Sequence, residues 1–287
     1  MAALNVGRLN RHFPERYLES LKALLAAVEM SLENYQLSYG SKLPDSVLCE
    51  PGKDLRVLGI GSGSGEVDSA MLKKVLQRHK TVYNRVVEPS GEMIERYKTL
   101  VRKDKSLGAV TFDWRQQTAE EYFQTKEDTK FHLVHAIHVL YNVEDQDATL
   151  RSIWEQLAGG GHMLVAMESD TSDWGKLQYK LWDEFGQGDR LKTSFRTSGD
   201  VKQWLDARGV SYVTSQDDIN INITECLKEE SSEAGRMILD FLTKTPFVSN
   251  YPEIKSTALD FIRCNSSLVD DKVIFKLINE VVIALKK

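Results

Sequence analysis

Cysteine is scarce in this chain of 287 residues: Cys49, Cys226 and Cys264 are the three present, far apart and in no metal-binding spacing. An odd, scattered set excludes a disulfide framework and suits unpaired thiols in a reducing compartment. Long apolar runs are missing too, and none approaches the roughly 18 residues of a membrane span. The opening Met1-Ala-Ala-Leu-Asn-Val-Gly-Arg8 has no apolar region of the kind a secretory signal needs. Positive charge is not in excess. The net charge of −5 gives no basic footprint for nucleic acid and no polybasic signal for a membrane surface. There is no internal repeat, no low-complexity tract and no long linker. These absences lead us to expect a cytoplasmic protein with no resident metal and neither nucleic acid nor membrane as its partner.

What is present centres on Leu55-Arg-Val-Leu-Gly-Ile-Gly-Ser-Gly-Ser-Gly-Glu-Val-Asp68. Val57, Leu58 and Ile60 read as a short buried strand, and Glu66 opens a helical pattern. Between them Gly61, Gly63 and Gly65 recur at every second position. A strand that ends in glycines and turns into a helix brings backbone N–H groups up to a ligand. A Cβ at these positions would clash with that ligand or forbid the turn. Dinucleotide sites want the third glycine three places after the second, where this chain has Glu66. The G-x-G-x-G spacing is instead that of S-adenosylmethionine (SAM) methyltransferases. A glycine-rich turn without a ligand is the plain alternative, since a lone glycine motif is a weak signal.

The rest of the chain places this turn in an alternating pattern. A first helical block spans 14–38, with Tyr17, Leu18, Leu21, Leu24, Leu25 and Val28 at helical spacing and a second helix from Met30 to Leu37. Strands are expected at 55–60, Tyr83–Val87, Ala109–Trp114, Phe131–Ala136 and His162–Met167, the last preceded by the turn Ala158-Gly-Gly-Gly161. Helices are expected at Glu66–His79, Gly91–Lys103 and Asp147–Leu157 between them. This order implies a doubly wound, mostly parallel α/β sheet. Later helices are read from Trp174 to Trp182, Val201 to Arg208, 234 to 246 and Glu253 to Arg263, with strand-like pieces at Ser211–Val213, Ile219–Ile223, Val273–Phe275 and Val281–Leu285.

Ligands of such sheets sit outside the carboxyl ends of the strands. Glu88, 23 residues after Gly65, follows the second strand in Glu88-Pro-Ser90. A carboxylate there can accept hydrogen bonds from both hydroxyls of a ribose. Gln116-Gln-Thr-Ala119 follows the third strand, where a polar group would meet an adenine. His138 and Tyr141 follow the fourth. A structural histidine at a strand end is the competing reading for His138.

Several motifs together resemble the histamine N-methyltransferase family. They are Ile60-Gly-Ser-Gly-Ser-Gly-Glu66, Val86-Val-Glu-Pro-Ser90, Ile137-His-Val-Leu-Tyr141, Trp174-Gly-Lys-Leu177, Asp240-Phe-Leu-Thr243 and Lys272-Val-Ile-Phe275. The likeness runs from Tyr17 to the last strand. Like that family, the chain lacks the acid that most methyltransferases carry two residues before the first motif glycine; here the position is Gly59.

The resemblance implies a monomeric, cytosolic, SAM-dependent enzyme with S-adenosylhomocysteine as product. It implies a Rossmann-like class I methyltransferase fold with a seven-stranded sheet and a helical substrate-binding cap. The single domain of 1–287 would then divide into a SAM-binding core at about 53–170 and a cap from about 10–45, 171–196 and 226–270. Carried over residue by residue, the cofactor positions are Gly61, Gly63, Gly65, Glu88, Ser90, Met93, Thr118, Ala119 and Ile137. Met93 and Ala119 replace a family glutamine and serine. The substrate positions are Tyr17, Glu29, Met30, His138, Tyr141, Trp174, Phe195, Phe241 and Leu277. The aromatic ones are kept. The family's acid falls at Met30 with Glu29 adjacent, its asparagine at Leu277 and its glutamine at His138.

The implied partner is a small amine, and His138 is the residue expected to hydrogen-bond the acceptor ring and select the nitrogen that is methylated. An aromatic pocket with altered polar anchors fits histamine or a larger imidazole such as carnosine. Because Met30 and Leu277 remove polar anchors, a non-imidazole amine or a hydroxyl acceptor stays open. A SAM-binding relative that has lost catalysis also stays open.

Overall fold

A computed structural model of the chain describes residues 6–48, 55–228 and 231–287. Cys49 lies outside the described residues. The strands are β1 (Leu55–Ile60), β2 (Val82–Val87), β3 (Val110–Arg115), β4 (Phe131–Ile137), β5 (Leu157–Glu168), β6 (Tyr212–Asn222), β7 (Ser266–Val269) and β8 (Lys272–Leu285). The α-helices are α1 (Leu9–His12), α2 (Pro14–Ala27), α3 (Leu32–Lys42), α4 (Glu66–Leu76), α5 (Gly91–Lys103), α6 (Ala119–Gln124), α7 (Gln146–Gln156), α8 (Asp173–Phe185), α9 (Ser198–Asp206), α10 (Glu233–Thr243) and α11 (Pro252–Cys264).

The strand order is β3-β2-β1-β4-β5-β8-β6, with the short β7 paired to β8 off this path. The seven strands of that path match the expected sheet, and β7 makes an eighth. β1 pairs in parallel with β2 and β4, β2 with β3, and β4 with β5. The order reverses between β1 and β4, which is where an open α/β sheet forms its binding crevice.

The chain divides into two compact units. One comprises Met1–Leu32, Glu168–Asp200 and Gln216–Glu280; the other comprises Glu33–Met167, Val201–Ser215 and Val281–Lys287. The expected segment 10–45 is thereby divided at Leu32 and Glu33, while 171–196 and 226–270 fall in the first unit.

In the second unit both sheet faces are covered. Leu58, Ile60, Val134, Ala136, Met163 and Val165 pack with Tyr122, Leu150, Ile153, Val201 and Leu205. The alternate residues Leu55, Val57, Leu133, Leu164 and Ala166 pack with Tyr39, Met71, Leu72 and Val75. Burial on two faces explains why these strands read as near-continuous apolar runs. The first unit has its own core, in which Leu24, Trp174, Leu177, Leu181, Phe195, Ile238, Phe241, Ile254 and Leu277 are buried.

Several expected boundaries shift, each for a local reason. The block 14–38 breaks after Ala27 because Val28 bridges to Ile221 and the Glu29 N–H donates to the Asn220 carbonyl at 2.9 Å. Met30 therefore lies outside any helix, and the second helix starts at Leu32. Gly159–Gly161 is not a turn but part of β5, where the Gly160 N–H donates to the Lys286 carbonyl at 2.7 Å. The two pieces at 211–213 and 219–223 belong to one strand, β6, and those at 273–275 and 281–285 to one strand, β8. The β7–β8 hairpin turns on Asp270 and Asp271, both left-handed at φ 47° and 61°, the backbone that a two-residue I′ turn requires. Among the described residues no helix is long and apolar enough to cross a membrane.

Candidate functional site

In the second unit, the turn after β1 is the best-defined feature. Gly61, Gly63 and Gly65 have φ of 67°, 57° and 87°, a region that L side chains avoid. Their surroundings differ. A Cβ at Gly61 would lie 2.5 Å from Val139, and one at Gly65 would lie 2.1 Å from the Tyr97 ring. At these two positions the protein's own packing already requires glycine. Gly63 has open space where its Cβ would be, so it is the glycine that a ligand can approach.

Glu88 holds this turn. Its Oε2 accepts the Gly63 N–H at 3.0 Å and its Oε1 accepts the Ser90 N–H at 2.9 Å. Each carboxylate oxygen keeps a lone pair for a further donor. Ser90 caps α5, its Oγ accepting the Met93 N–H at 3.3 Å. Met93 thus stands on the first turn of that helix. Gly91 allows the Gln116 side chain to come close, since a Cβ there would meet its amide nitrogen at 3.0 Å.

The loop after β3 runs directly into α6. Thr118 caps α6 in a reciprocal capping box with Glu121, so its hydroxyl accepts the Glu121 N–H at 3.2 Å. Ala119 is buried in the apolar cluster beneath. A cofactor contact at either would use backbone or the remaining face of the hydroxyl. Ile137 ends β4, half-buried against the opposite cluster.

His138 follows Ile137 and is left-handed at φ 52°. Its N–H donates to the Ala166 carbonyl at 2.9 Å. Its ring Nε2 lies 3.0 Å from the Tyr35 hydroxyl and 3.4 Å from the Tyr39 hydroxyl. Those two hydroxyls are 2.9 Å apart on successive turns of α3. A bulky residue held in this backbone region costs about 1–3 kcal/mol, and such outliers gather at functional sites. Tyr141 lies half-buried against the cluster around Leu140. Sequence reasoning missed Tyr35 and Tyr39, although their i, i+4 spacing was visible, because the expected helix stopped at Leu37.

Beneath the turn lies a polar group that sequence reasoning also missed. Asp68 of α4 and His135 of β4 are both buried, with Oδ1 and Nε2 3.6 Å apart. Burial pushes the Asp68 carboxyl up and the His135 ring down, each opposed by the other's charge.

The first unit gathers three of its expected aromatic residues. Tyr17 stacks on Phe241 at 5.8 Å between centroids, and Trp174 packs on Phe241 at 5.5 Å. The Trp174 Nε1–H donates to the Leu242 carbonyl at 2.7 Å. Phe195 is buried in the same cluster, with the Trp182 ring edge-on at 6.2 Å. Leu277 is buried core.

This unit also holds a cation that was not anticipated. The Lys244 ammonium lies 4.7 Å from the Trp174 ring centre and 4.4 Å from that of Phe241. Burial draws Lys244 down to about 7 and pushes the neighbouring Glu168 up to about 8. The Ser172 hydroxyl and the Ile278 N–H both donate to Glu168. Glu29 is engaged as well: its oxygens lie 3.1 and 3.0 Å from the Lys272 ammonium. Met30 is exposed beside it.

Comparison with known proteins adds to this geometry. A family model described as a methyltransferase domain matches residues 10–215. Histamine N-methyltransferase B of Xenopus laevis is 35% identical over 280 residues, covering 91% of this chain and 92% of the relative. Histamine N-methyltransferase of Danio rerio is 34% identical over 281 residues, with the same coverage of 91% and 92%. Among solved structures, a putative methyltransferase from Bacillus halodurans aligns with a TM-score of 0.55 and 13% identity, covering 87% of this chain and 98% of that one.

Proposed function

From the premise that the chain belongs to the histamine N-methyltransferase family, we propose that it methylates a ring nitrogen of a small imidazole amine, histamine or a histamine-like compound such as carnosine, with SAM as donor. The observation that carries this reading is the pairing of two loops at the switch point of the sheet. The glycine turn after β1 and the His138 loop after β4 leave neighbouring parallel strands, and Val139 packs against the backbone of Gly61.

The residues fit the donor. Gly63 has open space beside it, and Glu88 fixes the turn while keeping acceptor capacity for ribose hydroxyls. When bound, SAM supplies an electrophilic methyl on a good leaving group. The chain's part is to bind, orient and exclude. Holding the acceptor in line can contribute ~7–11 kcal/mol in favourable cases. An imidazole has a reference pKa of about 6.5, so it offers a neutral nitrogen near pH 7 without a strong base. No metal is required for such a displacement. His138, backed by Tyr35 and Tyr39, is the group we assign to the acceptor ring, and it acts by choosing which nitrogen is presented. A monomer in the cytoplasm is the setting we propose.

Lys244 favours a second reading of the acceptor. A cation already over the Trp174 and Phe241 rings makes them a poorer site for a second ammonium. That favours an acceptor carrying a carboxylate, which an imidazole dipeptide has and histamine lacks.

The test is direct. Purified protein with SAM is offered histamine, carnosine, histidine, tryptamine and phenylethylamine, and methylated products are read by mass. Product from histamine or carnosine alone is the expected result. Product only from a non-imidazole amine discards the substrate class. No product with SAM bound points to a silent relative.

A further inference from the structure

We infer that Asp68 is a positioning residue for the donor: a buried acid that sets the glycine turn through Ser62 and biases it toward the positively charged SAM over S-adenosylhomocysteine. This rests on the reading that the turn holds SAM.

The geometry begins at Gly59, the β1 residue directly before Ile60 and the turn. A Cβ there would lie 2.3 Å from Ser62 Oγ, 2.8 Å from His135 Cε1 and 2.9 Å from Asp68 Oδ2. Three polar side chains, from the turn, from β4 and from α4, therefore converge on the space that glycine leaves. Tyr97 of α5 packs its ring under Gly65, and its hydroxyl interacts with Asp68. The acid thus stands next to both ends of the turn, Ser62 at one and the Tyr97-supported Gly65 at the other.

The group is polar, with Ser62 half-buried and the other three buried. Asp68 is 3% exposed, His135 2% and Tyr97 fully buried. Asp68 Oδ2, Ser62 Oγ, Tyr97 Oη and His135 Nε2 make no hydrogen bond of standard geometry. Burial is the largest influence on Asp68 and raises its carboxyl, while His135 and the Ser62 and Tyr97 hydroxyls each pull it back toward the charged form. A core rarely collects this many buried polar groups, because each left unpaired costs about 1–3 kcal/mol. A purely structural site would be better filled by apolar side chains. A low-dielectric carboxylate behind a ligand-facing turn does have a use: it acts over several ångströms on a cation in front of it. SAM carries a sulfonium that its product lacks, so the same acid holds the donor more tightly than the product.

The experiment measures dissociation constants of SAM and S-adenosylhomocysteine by calorimetry for the full chain and for Asp68→Asn, Ser62→Ala and the double variant. Asp68→Asn is expected to weaken SAM at least tenfold and S-adenosylhomocysteine less than threefold. Ser62→Ala is expected to weaken SAM and to add little once Asp68→Asn is present, since the two act as one unit. An unchanged SAM constant in Asp68→Asn overturns the inference, and so does equal weakening of both ligands or full additivity of the two substitutions. Should Asp68→Asn not fold, Ser62→Ala decides alone: SAM binding weakened more than that of the product supports the role, and unchanged binding overturns it. A wild-type chain that binds no SAM would instead sink the functional reading beneath it.

Discussion

The Lys244 ammonium and the Phe241 ring, 4.4 Å apart, stand three residues apart in sequence and meet because Lys244 ends α10 in the left-handed conformation, φ 51°. The chain turns back there and drives its own cation onto an aromatic wall. The contact comes with a burial cost that depends on pH. Lys244 titrates near 7 in the folded state, below its usual 10.5. The unfolded chain therefore binds more protons between those values, and this group's contribution to stability rises with pH across them. Glu168 titrates near 8 instead of 4.5. Its contribution is fully present below the lower value and falls as pH rises through that window. Together they place a stability minimum near neutral pH. Lys244→Met should raise Tm most at pH 6 and least at pH 10 relative to wild type, measured by thermal melts across that range. A Tm difference that does not vary with pH would refute it.

His138 separates backbone from side chain. At φ 52° glycine is the residue without a steric penalty. His138→Gly should therefore be more stable than His138→Ala by about 1 kcal/mol. Both variants remove the imidazole, so both should lose kcat/KM for an imidazole acceptor by about tenfold to a hundredfold, and the ratio of the two methylated isomers should shift. Unchanged kcat/KM and unchanged regiochemistry in both would leave His138 a structural residue.

How much was legible depends on distance along the chain. β1 to β5 and the turn could be read because their apolar runs and glycines are local signals. β6 was read as two pieces because most of Thr214-Ser-Gln-Asp-Asp218 is exposed; it lies at the end of the strand order, where polar residues are tolerated on an open edge. Glu88 and His138 could be singled out because strand ends of a doubly wound sheet are where ligands sit. Asp68 and His135 could not, because an acid in an amphipathic helix and a histidine in a strand reveal their pairing only once the 66 residues of chain between them fold. Lys244 falls inside the helix expected at 234–246, and nothing in the sequence around it marks it as buried.

Gly63 and Gly65 should respond oppositely to alanine. At Gly65 a methyl overlaps the Tyr97 ring at 2.1 Å, and relieving that overlap means displacing a fully buried side chain. Gly65→Ala should lower Tm by well over the effect of strain alone, with or without ligand. Gly63→Ala meets open space and carries only the cost of a non-glycine at positive φ, about 1 kcal/mol. Its effect should instead fall on SAM, weakened at least tenfold in a calorimetric titration while the Tm of the free protein falls by a few degrees. Equal loss of Tm in the two variants would contradict this division.

Glu29 tests whether an acid beside Met30 can serve an amine. Its carboxylate is already paired with Lys272 at 3.0 Å, and both side chains are substantially exposed, 35% and 48%. An exposed pair contributes less than about 1 kcal/mol, so Lys272→Met should change Tm little while leaving Glu29 free to take another cation. If Glu29 binds the ammonium of the acceptor, Lys272→Met should lower KM for histamine several-fold, leave kcat alone, and leave KM unchanged for an acceptor without an ammonium. Glu29→Gln should do the reverse for histamine. If neither substitution moves KM, the pair is a surface contact that fixes the break between α2 and α3 against β8. The selectivity for the acceptor's charged end must then come from elsewhere in the chain, with Lys244 the next residue to vary.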